Sequence, residues 1–164
     1  MTTPEERYQA FIDTCVNVSD EHPPVTRVEG GPAQRRLAER ASKLAAYHEL
    51  AVHDTLNGKA PLMAIREGYY VMLHKANEAL ALAGLKTRTH RCTLLGIQGV
   101  FNAPDLADML RRASQERRNV DYFIDPDNPA LEEFAGPQSF IEETVEVFVT
   151  RVDTVIEEEG LREQ

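Results

Sequence analysis

The chain has 164 residues, which is long enough for one domain with its own core, and its hydrophobic content of 42% is too high for a disordered protein. The formal net charge of −9 excludes a general attraction to nucleic acids or anionic membranes, so any RNA contact has to come from locally clustered arginines. The apolar runs are too short to span a membrane, and the N-terminus lacks the features of a secretory signal. We therefore expect a cytoplasmic protein without a membrane-spanning segment.

Residues 1–32 predict a short helix followed by a linker. Thr3 and Glu6 have the spacing of a capping box, and apolar residues recur at helical intervals over residues 3–18. Residues 19–32 contain two clusters of proline and glycine, which are typical of a loop. We expect this extension to pack across the rest of the chain and to cover apolar surface.

Residues 33–160 show the apolar periodicity of several further helices. The predicted helices cover residues 33–56, 61–84, 91–101 and 104–123, and a last helix is capped by Ser139. Candidate core residues of the first of these are Leu37, Leu44, Ala45, Leu50 and Val52. The last helix has an apolar stripe that alternates four and three residues apart: Ile141, Val145, Phe148, Val152 and Val155.

No segment alternates between apolar and polar residues as a half-buried strand does, so strands are not expected. The sequence therefore predicts an all-α fold, a four- to five-helix up-and-down bundle with an N-terminal helical extension.

Metal and thiol chemistry find little support in the sequence. Cys15 and Cys92 lie in apolar stretches, which favours two small buried side chains. His48 and His53 are five residues apart and would diverge by about 140° around a helix, whereas a zinc-protease helix needs histidines four apart. We predict no metal site and no cofactor.

Aromatic and histidine residues form the first group of candidate site residues. Tyr69 and Tyr70 are adjacent and point to different sides of their helix, so we expect one in the core and the other in a groove. His74 lies one turn after Tyr70 and shares its face, with a structural role as the simpler interpretation. His90 and Arg91 stand at a predicted helix start, where they could hold a phosphate or simply form a solvated turn.

The second group is the segment Arg117-Arg118-Asn119-Val120-Asp121-Tyr122. Its arginines belong to the densest basic cluster of this acidic chain, although ordinary surface pairing explains part of such a cluster. Together with the tyrosines and the histidine of the first group, this segment can build a polar pocket inside a helical bundle.

Taken together, these segments resemble HEPN domains (higher eukaryote and prokaryote nucleotide-binding), an all-α family of prokaryotic toxins and defence proteins. Its small stand-alone members carry an Arg-x-x-Tyr-Tyr-x-Met-x-His block, a Thr-His-basic turn and an Arg-x-x-x-Asp-Tyr block, in this order. The matching residues here are Arg66, Tyr69, Tyr70, Met72 and His74, then Thr89, His90 and Arg91, then Arg117, Asp121 and Tyr122. The resemblance covers roughly residues 33–160 and leaves residues 1–32 outside.

The resemblance implies a homodimer with the pocket at the groove between the two copies. Many members are metal-independent ribonucleases whose motif is an arginine, four to six residues and then a histidine. Many are encoded beside a small nucleotidyltransferase that acts as the antitoxin, and some such partners add nucleotides to a tyrosine near the motif.

This chain departs from the ribonuclease motif because Tyr122 stands where the histidine is expected. A phenol ordinarily titrates near pH 10, so only about one in a thousand is ionised at pH 7, which is too few for an efficient general base. Arg117 can still bind a phosphate in a bidentate manner. The further candidate contacts to RNA or a nucleotide are Arg66, Tyr69, Tyr70, Arg91, Arg118, Asn119 and Asp121.

Three hypotheses follow for function. The first is a HEPN-family member of a toxin–antitoxin or defence module that binds RNA, a nucleotide or a nucleotidyltransferase, with weak or no cleavage and with Tyr122 as a possible acceptor of a nucleotide. The second is an active metal-independent ribonuclease that uses Arg117 with His74 or His90. The third is a helical dimerisation or adaptor module without chemistry.

Overall fold

A computed structural model describes residues 3–15, 23–122 and 136–162. In chain order the elements are α1 (Pro4–Cys15), β1 (Val25–Arg27), α2 (Gly31–Leu56), α3 (Met63–Leu82), β2 (Leu85–Thr87), α4 (His90–Val100), α5 (Pro104–Tyr122), α6 (Pro137–Phe140), a π-helical turn (Ile141–Val145) and α7 (Glu146–Glu158). The predicted all-α helical bundle is confirmed. None of the helices in the described ranges is long and apolar enough to cross a membrane.

Helix α3 is the central element of the bundle. It packs against α2, α4, α5 and α7, and most of its side chains are buried. Its apolar residues run around much of its circumference, which is why it can be covered on several sides. A Cβ on Gly68 would lie 2.7 Å from Ile141 Cδ1, so this glycine lets α3 approach the π-helical turn closely.

The predicted core face of α2 is partly wrong. Ala45 and Val52 are buried as expected, but Leu44 is 37% exposed and Leu50 is 69% exposed. Helix α2 instead turns a stripe of small residues towards the bundle: Ala38, Ala41, Ala45 and Val52. Small side chains allow α2 and α3 to approach closely, and the large leucines are left on the outer face.

The expectation that strands are absent is also wrong. Strands β1 and β2 form an antiparallel pair in which Val25 faces Thr87 and Arg27 faces Leu85. Three residues are too few for the alternation of a strand to be visible in the sequence. The pair ties the segment before α2 to the connection between α3 and α4.

The N-terminal helix begins with the predicted capping box. The Thr3 amide donates to Glu6 Oε2 at 2.7 Å, and the Glu6 amide donates to Thr3 Oγ1 at 3.2 Å. Helix α1 packs on α4 and inserts Phe11 into the core beside Gly96.

The expectation that both cysteines are buried is confirmed. Cys15 and Cys92 are buried free thiols, and burial raises the pKa of Cys15 to about 12.

The predicted Ser139 cap is wrong, because the helix already begins at Pro137, directly after Gly136. A proline suits the first turn of a helix, where no amide hydrogen is required, and this signal outweighs the serine.

Candidate functional site

Side chains from α2, α3, α4 and α5 meet in one group that is rich in rings and polar atoms. This group, the arginine–aromatic cluster, contains His48, Tyr69, Tyr70, His74, His90 and Arg117. Helix α3 supplies three of its members because residues 70 and 74 are one turn apart and residue 69 is adjacent. The structure thus brings together residues from all three sequence blocks described above.

Arg117 is the cation of the cluster. Its Nη1 lies 3.3 Å from the Tyr70 hydroxyl and 3.4 Å from Asp121 Oδ2, one turn further along α5. Its guanidinium carbon lies 5.2 Å from the Tyr69 ring centroid and 5.9 Å from that of Tyr70, within cation–π range. The side chain is only 17% exposed, and its buried Nε has no hydrogen-bond partner among the described residues.

His90 is the first residue of α4 and stands close to this cation. Its Nδ1 shares a hydrogen bond of 2.9 Å with the Tyr69 hydroxyl. Burial and then the charge of Arg117 lower the pKa of His90, whereas burial raises the pKa of Tyr69. At neutral pH, His90 is therefore a neutral imidazole with one N–H and one lone pair, which is the form that can accept a proton.

Glu67 and His48 form a second polar pair on the α2 side of the cluster. Glu67 Oε2 lies 2.7 Å from His48 Nδ1, and Arg66 donates to Glu67 Oε1 from Nε at 3.0 Å and from Nη2 at 2.8 Å. Burial acts to raise the pKa of Glu67, but the hydrogen bonds from His48 and Arg66 outweigh it and leave the pKa below its ordinary value. The ionised carboxylate fixes the orientation of the His48 ring.

His48 and Glu67 were not among the site residues expected from the sequence. The sequence pattern suggests His48 only as a zinc ligand together with His53, whose side chain is exposed in the structure. A signal was nevertheless present, because His48 continues the buried stripe of Ala41, Ala45 and Val52 at helical spacing.

The rings of the cluster stack on one another. The His48 ring lies 5.1 Å from the Tyr70 ring and 5.4 Å from the His74 ring, with interplanar angles of 23° and 13°. As predicted, Tyr69 is in the core, Tyr70 is only partly buried, and His74 shares a face with Tyr70. Burial, and then the neighbouring His48 and His90, lower the pKa of His74 to about 4, so this ring is neutral at physiological pH.

The remaining predicted site residues lie outside the cluster. Arg118 and Asn119 both hydrogen-bond Gln115 on the exposed side of α5. Arg91 is exposed in the first turn of α4. Tyr122 is the last residue of α5 and is 76% exposed, with no contact to the cluster within the described ranges. Those ranges also contain no group of histidine, cysteine, aspartate or glutamate side chains that could hold a metal ion.

No family model, curated protein or solved structure matches this chain.

The neutral state of His74 predicts a loss of stability on acidification. The unfolded chain binds a proton at His74 near the ordinary pKa of 6.5, whereas the folded chain does so only near 4. Between these values the unfolded state holds more protons, so the free energy of unfolding falls as the pH falls. We expect His74→Gln to flatten this slope between pH 6.5 and 4.5, measured by urea denaturation at several pH values.

His53→Gln is the matched control, because the exposed His53 ring should leave the slope unchanged.

The ion pairs of Glu67 set the lower pH limit of this comparison. They stabilise the fold above the ordinary pKa of this carboxyl, 4.5, and are lost only below it. His90 adds to the same slope in both variants. An equal slope in wild type and His74→Gln would contradict the assignment.

Proposed function

We propose that this protein is a HEPN-like member of a toxin–antitoxin or defence module that binds RNA or a nucleotide through a phosphate at Arg117. The observation that carries the proposal is the setting of this guanidinium. It is held among Tyr69, Tyr70 and Asp121, is largely shielded from water, and keeps an Nε without a partner among the described residues. A shielded guanidinium suits a phosphate better than a solvated surface arginine does, because water screens its charge less.

The convergence of the three sequence blocks supports the HEPN part of the proposal. Tyr69, His90 and Arg117 come from three different blocks of the chain, and both His90 and Arg117 contact Tyr69. Nothing in the periodicity of the helices requires this meeting. A shared site is a physical reason for the three blocks to occur together in one sequence.

A second candidate function is metal-independent RNA cleavage, and the position of His90 favours it. In this reaction the ribose 2′-oxygen attacks phosphorus and the 5′-oxygen leaves, so one group must remove a proton and another must supply one. His90 hydrogen-bonds Tyr69, whose ring lies within cation–π range of Arg117, whereas the His74 ring packs on the rings of His48 and Tyr70. His90 is therefore the better candidate for the base, with Arg117 holding the phosphate.

The two candidates separate in one experiment with purified protein in the presence of a chelator. Wild-type protein is expected to bind a labelled single-stranded RNA. If it also cleaves total RNA or tRNA, His90→Ala should abolish cleavage and retain binding, because only the proton-transfer group is lost. His53→Ala, with an exposed histidine, should behave as the wild type.

Absence of RNA and nucleotide binding by the wild-type protein would refute the proposed function. Cleavage that persists equally in His90→Ala and in a mock purification would show a contaminating nuclease and remove the second candidate. Binding without any cleavage would leave the first candidate alone.

The exposure of Tyr122 supports a nucleotidyltransferase as a further partner of this protein. Its phenol is 76% exposed at the end of α5, so a partner enzyme could reach it without unfolding the bundle. We propose Tyr122 as the acceptor of a nucleotide rather than as a substitute for the missing motif histidine.

The outer face of α2 supports the proposed homodimer. Leu44, Tyr47 and Leu50 are large apolar side chains exposed within two turns of this helix. The Tyr47 ring packs edge-on against His48 at 5.4 Å, so this patch borders the arginine–aromatic cluster. Adjacent exposed apolar residues of this kind mark interaction surfaces, and pairing through α2 would place the cluster beside the interface.

Leu50→Asp is expected to convert the dimer into a monomer, because pairing would bury the new charge without a partner. The measurement is the molar mass by light scattering after size exclusion. Val147→Asp is the control, since Val147 is a large exposed apolar residue on a different helix, α7. A monomeric wild type, or a variant that keeps the dimer mass, would contradict pairing through this face.

A further inference from the structure

A cavity lies beside His74, between α2, α3 and β2. Its volume is about 280 Å³, and its polar lining comes from Arg40 on α2, His74 and Asn77 on α3, and Lys86 and Thr87 on β2. Apolar side chains of α2 and β2 form the rest of the wall. None of these residues except His74 belongs to the arginine–aromatic cluster.

Hydrogen bonds hold Asn77 in one orientation at this cavity. Its Oδ1 accepts from the Thr87 hydroxyl at 2.9 Å and from the Thr93 hydroxyl at 2.8 Å. These two contacts, together with the 2.9 Å contact between the two hydroxyl oxygens, hold the amide in place, and its NH₂ group makes no hydrogen bond within the described part of the chain. A side-chain amide that is oriented by its oxygen and lines a cavity has two donors to offer to a ligand.

Two cations contribute to the same cavity from different elements. Arg40 and Lys86 form no ion pair with a carboxylate of the described residues, although the chain carries a net charge of −9. Both side chains are exposed to solvent, so their charged ends are accessible to a ligand that enters the cavity. Two positive charges match the charge of a phosphate monoester at neutral pH.

We propose that this cavity binds a small phosphate monoester. Arg40 and Lys86 hold the phosphate, the Asn77 amide donates to one of its oxygens, and the His74 ring contacts the body of the ligand. The site is separate from the Arg117 site and does not depend on the proposed function. His74 lines the cavity and stacks on His48, so it forms the wall between the two sites.

The test is isothermal titration calorimetry, in which the full chain is titrated separately with ribose 5-phosphate and with inorganic phosphate. Arg40→Gln and Lys86→Gln are each expected to weaken binding by about tenfold, the effect of one charge-assisted contact. Arg35→Gln is the matched control, because it removes the same charge from α2 about 140° away around the helix. Arg117→Ala should leave the part of the binding that depends on Arg40 and Lys86 unchanged.

A second measurement, independent of the affinity, shows where the ligand binds. The side-chain amide resonances of Asn77 should shift on addition of ribose 5-phosphate in the wild type and in Arg117→Ala. No binding at about 10 mM ligand, a concentration that detects even millimolar affinity, would overturn the proposal. So would binding that Arg117→Ala abolishes while Arg40→Gln does not, because the ligand would then occupy the arginine–aromatic cluster.

Discussion

Arg117→Ala is expected to weaken RNA binding by roughly 10- to 100-fold, the value of one or two hydrogen bonds from a charged donor. The effect should exceed that of any surface arginine, because the tyrosine rings shield the Arg117 guanidinium from water, so water screens its attraction to a phosphate less. Fluorescence anisotropy with a labelled single-stranded RNA, recorded at two salt concentrations, measures the change. The salt dependence should fall by about one released counterion.

Two further variants make this experiment specific. Arg118→Ala removes the same charge from the next residue, whose exposed side chain donates only to Gln115 within the described residues, and it should cost far less affinity. Arg117→Lys keeps the charge but loses the planar fork, and it should fall between wild type and alanine. Equal losses in Arg117→Ala and Arg118→Ala would show that RNA senses the overall charge of α5 and not the cluster.

Phe148→Ala is expected to lower the free energy of unfolding by about 3–5 kcal/mol, the usual cost of removing a fully buried aromatic ring. Phe148 is 0% exposed in the main core, on a helix that packs against α3. The remaining cavity cannot close easily, because the bundle surrounds it with other helices. Urea denaturation followed by circular dichroism gives the change as a shift of the midpoint at constant slope.

Val147→Ala provides the matched control for this prediction. Val147 precedes Phe148 on the same helix but is 42% exposed, so its truncation should cost less than about 1 kcal/mol. Similar losses of unfolding free energy in the two variants would mean that α7 does not bury Phe148 and expose Val147 as the structure shows. RNA affinity should be unchanged for the folded fraction of Phe148→Ala, since Phe148 is not part of the arginine–aromatic cluster.

The sequence by itself determined the features that depend on neighbouring residues. The capping box of Thr3 and Glu6 forms as expected, and the four-and-three spacing of Ile141, Val145 and Phe148 places all three in the core. Caps and amphipathic stripes arise within one or two helical turns, so the local sequence contains the information needed to predict them. The helical class of the fold follows from the same local signals.

Only the tertiary structure decided which face of α2 is buried. A hydrophobicity pattern favours Leu44 and Leu50, but close packing against α3 selects the smaller Ala41 and Ala45 and leaves the leucines outside. The choice depends on how closely two helices can approach, which is a property of both partners and not of α2 alone. The short strand pair is undetermined locally for the same reason, since each strand is defined by its partner.

The candidate site shows the same division. The sequence indicated Tyr70, His90 and Arg117 as candidates, because tyrosine, histidine and arginine side chains can build a polar pocket inside a helical bundle. It did not indicate that His48 and Glu67 would join them, since those two residues are brought to the site by the packing of α2 on α3. Periodicity specifies which side of a helix a residue occupies, but the neighbour that this side meets is determined by packing between elements far apart in the chain.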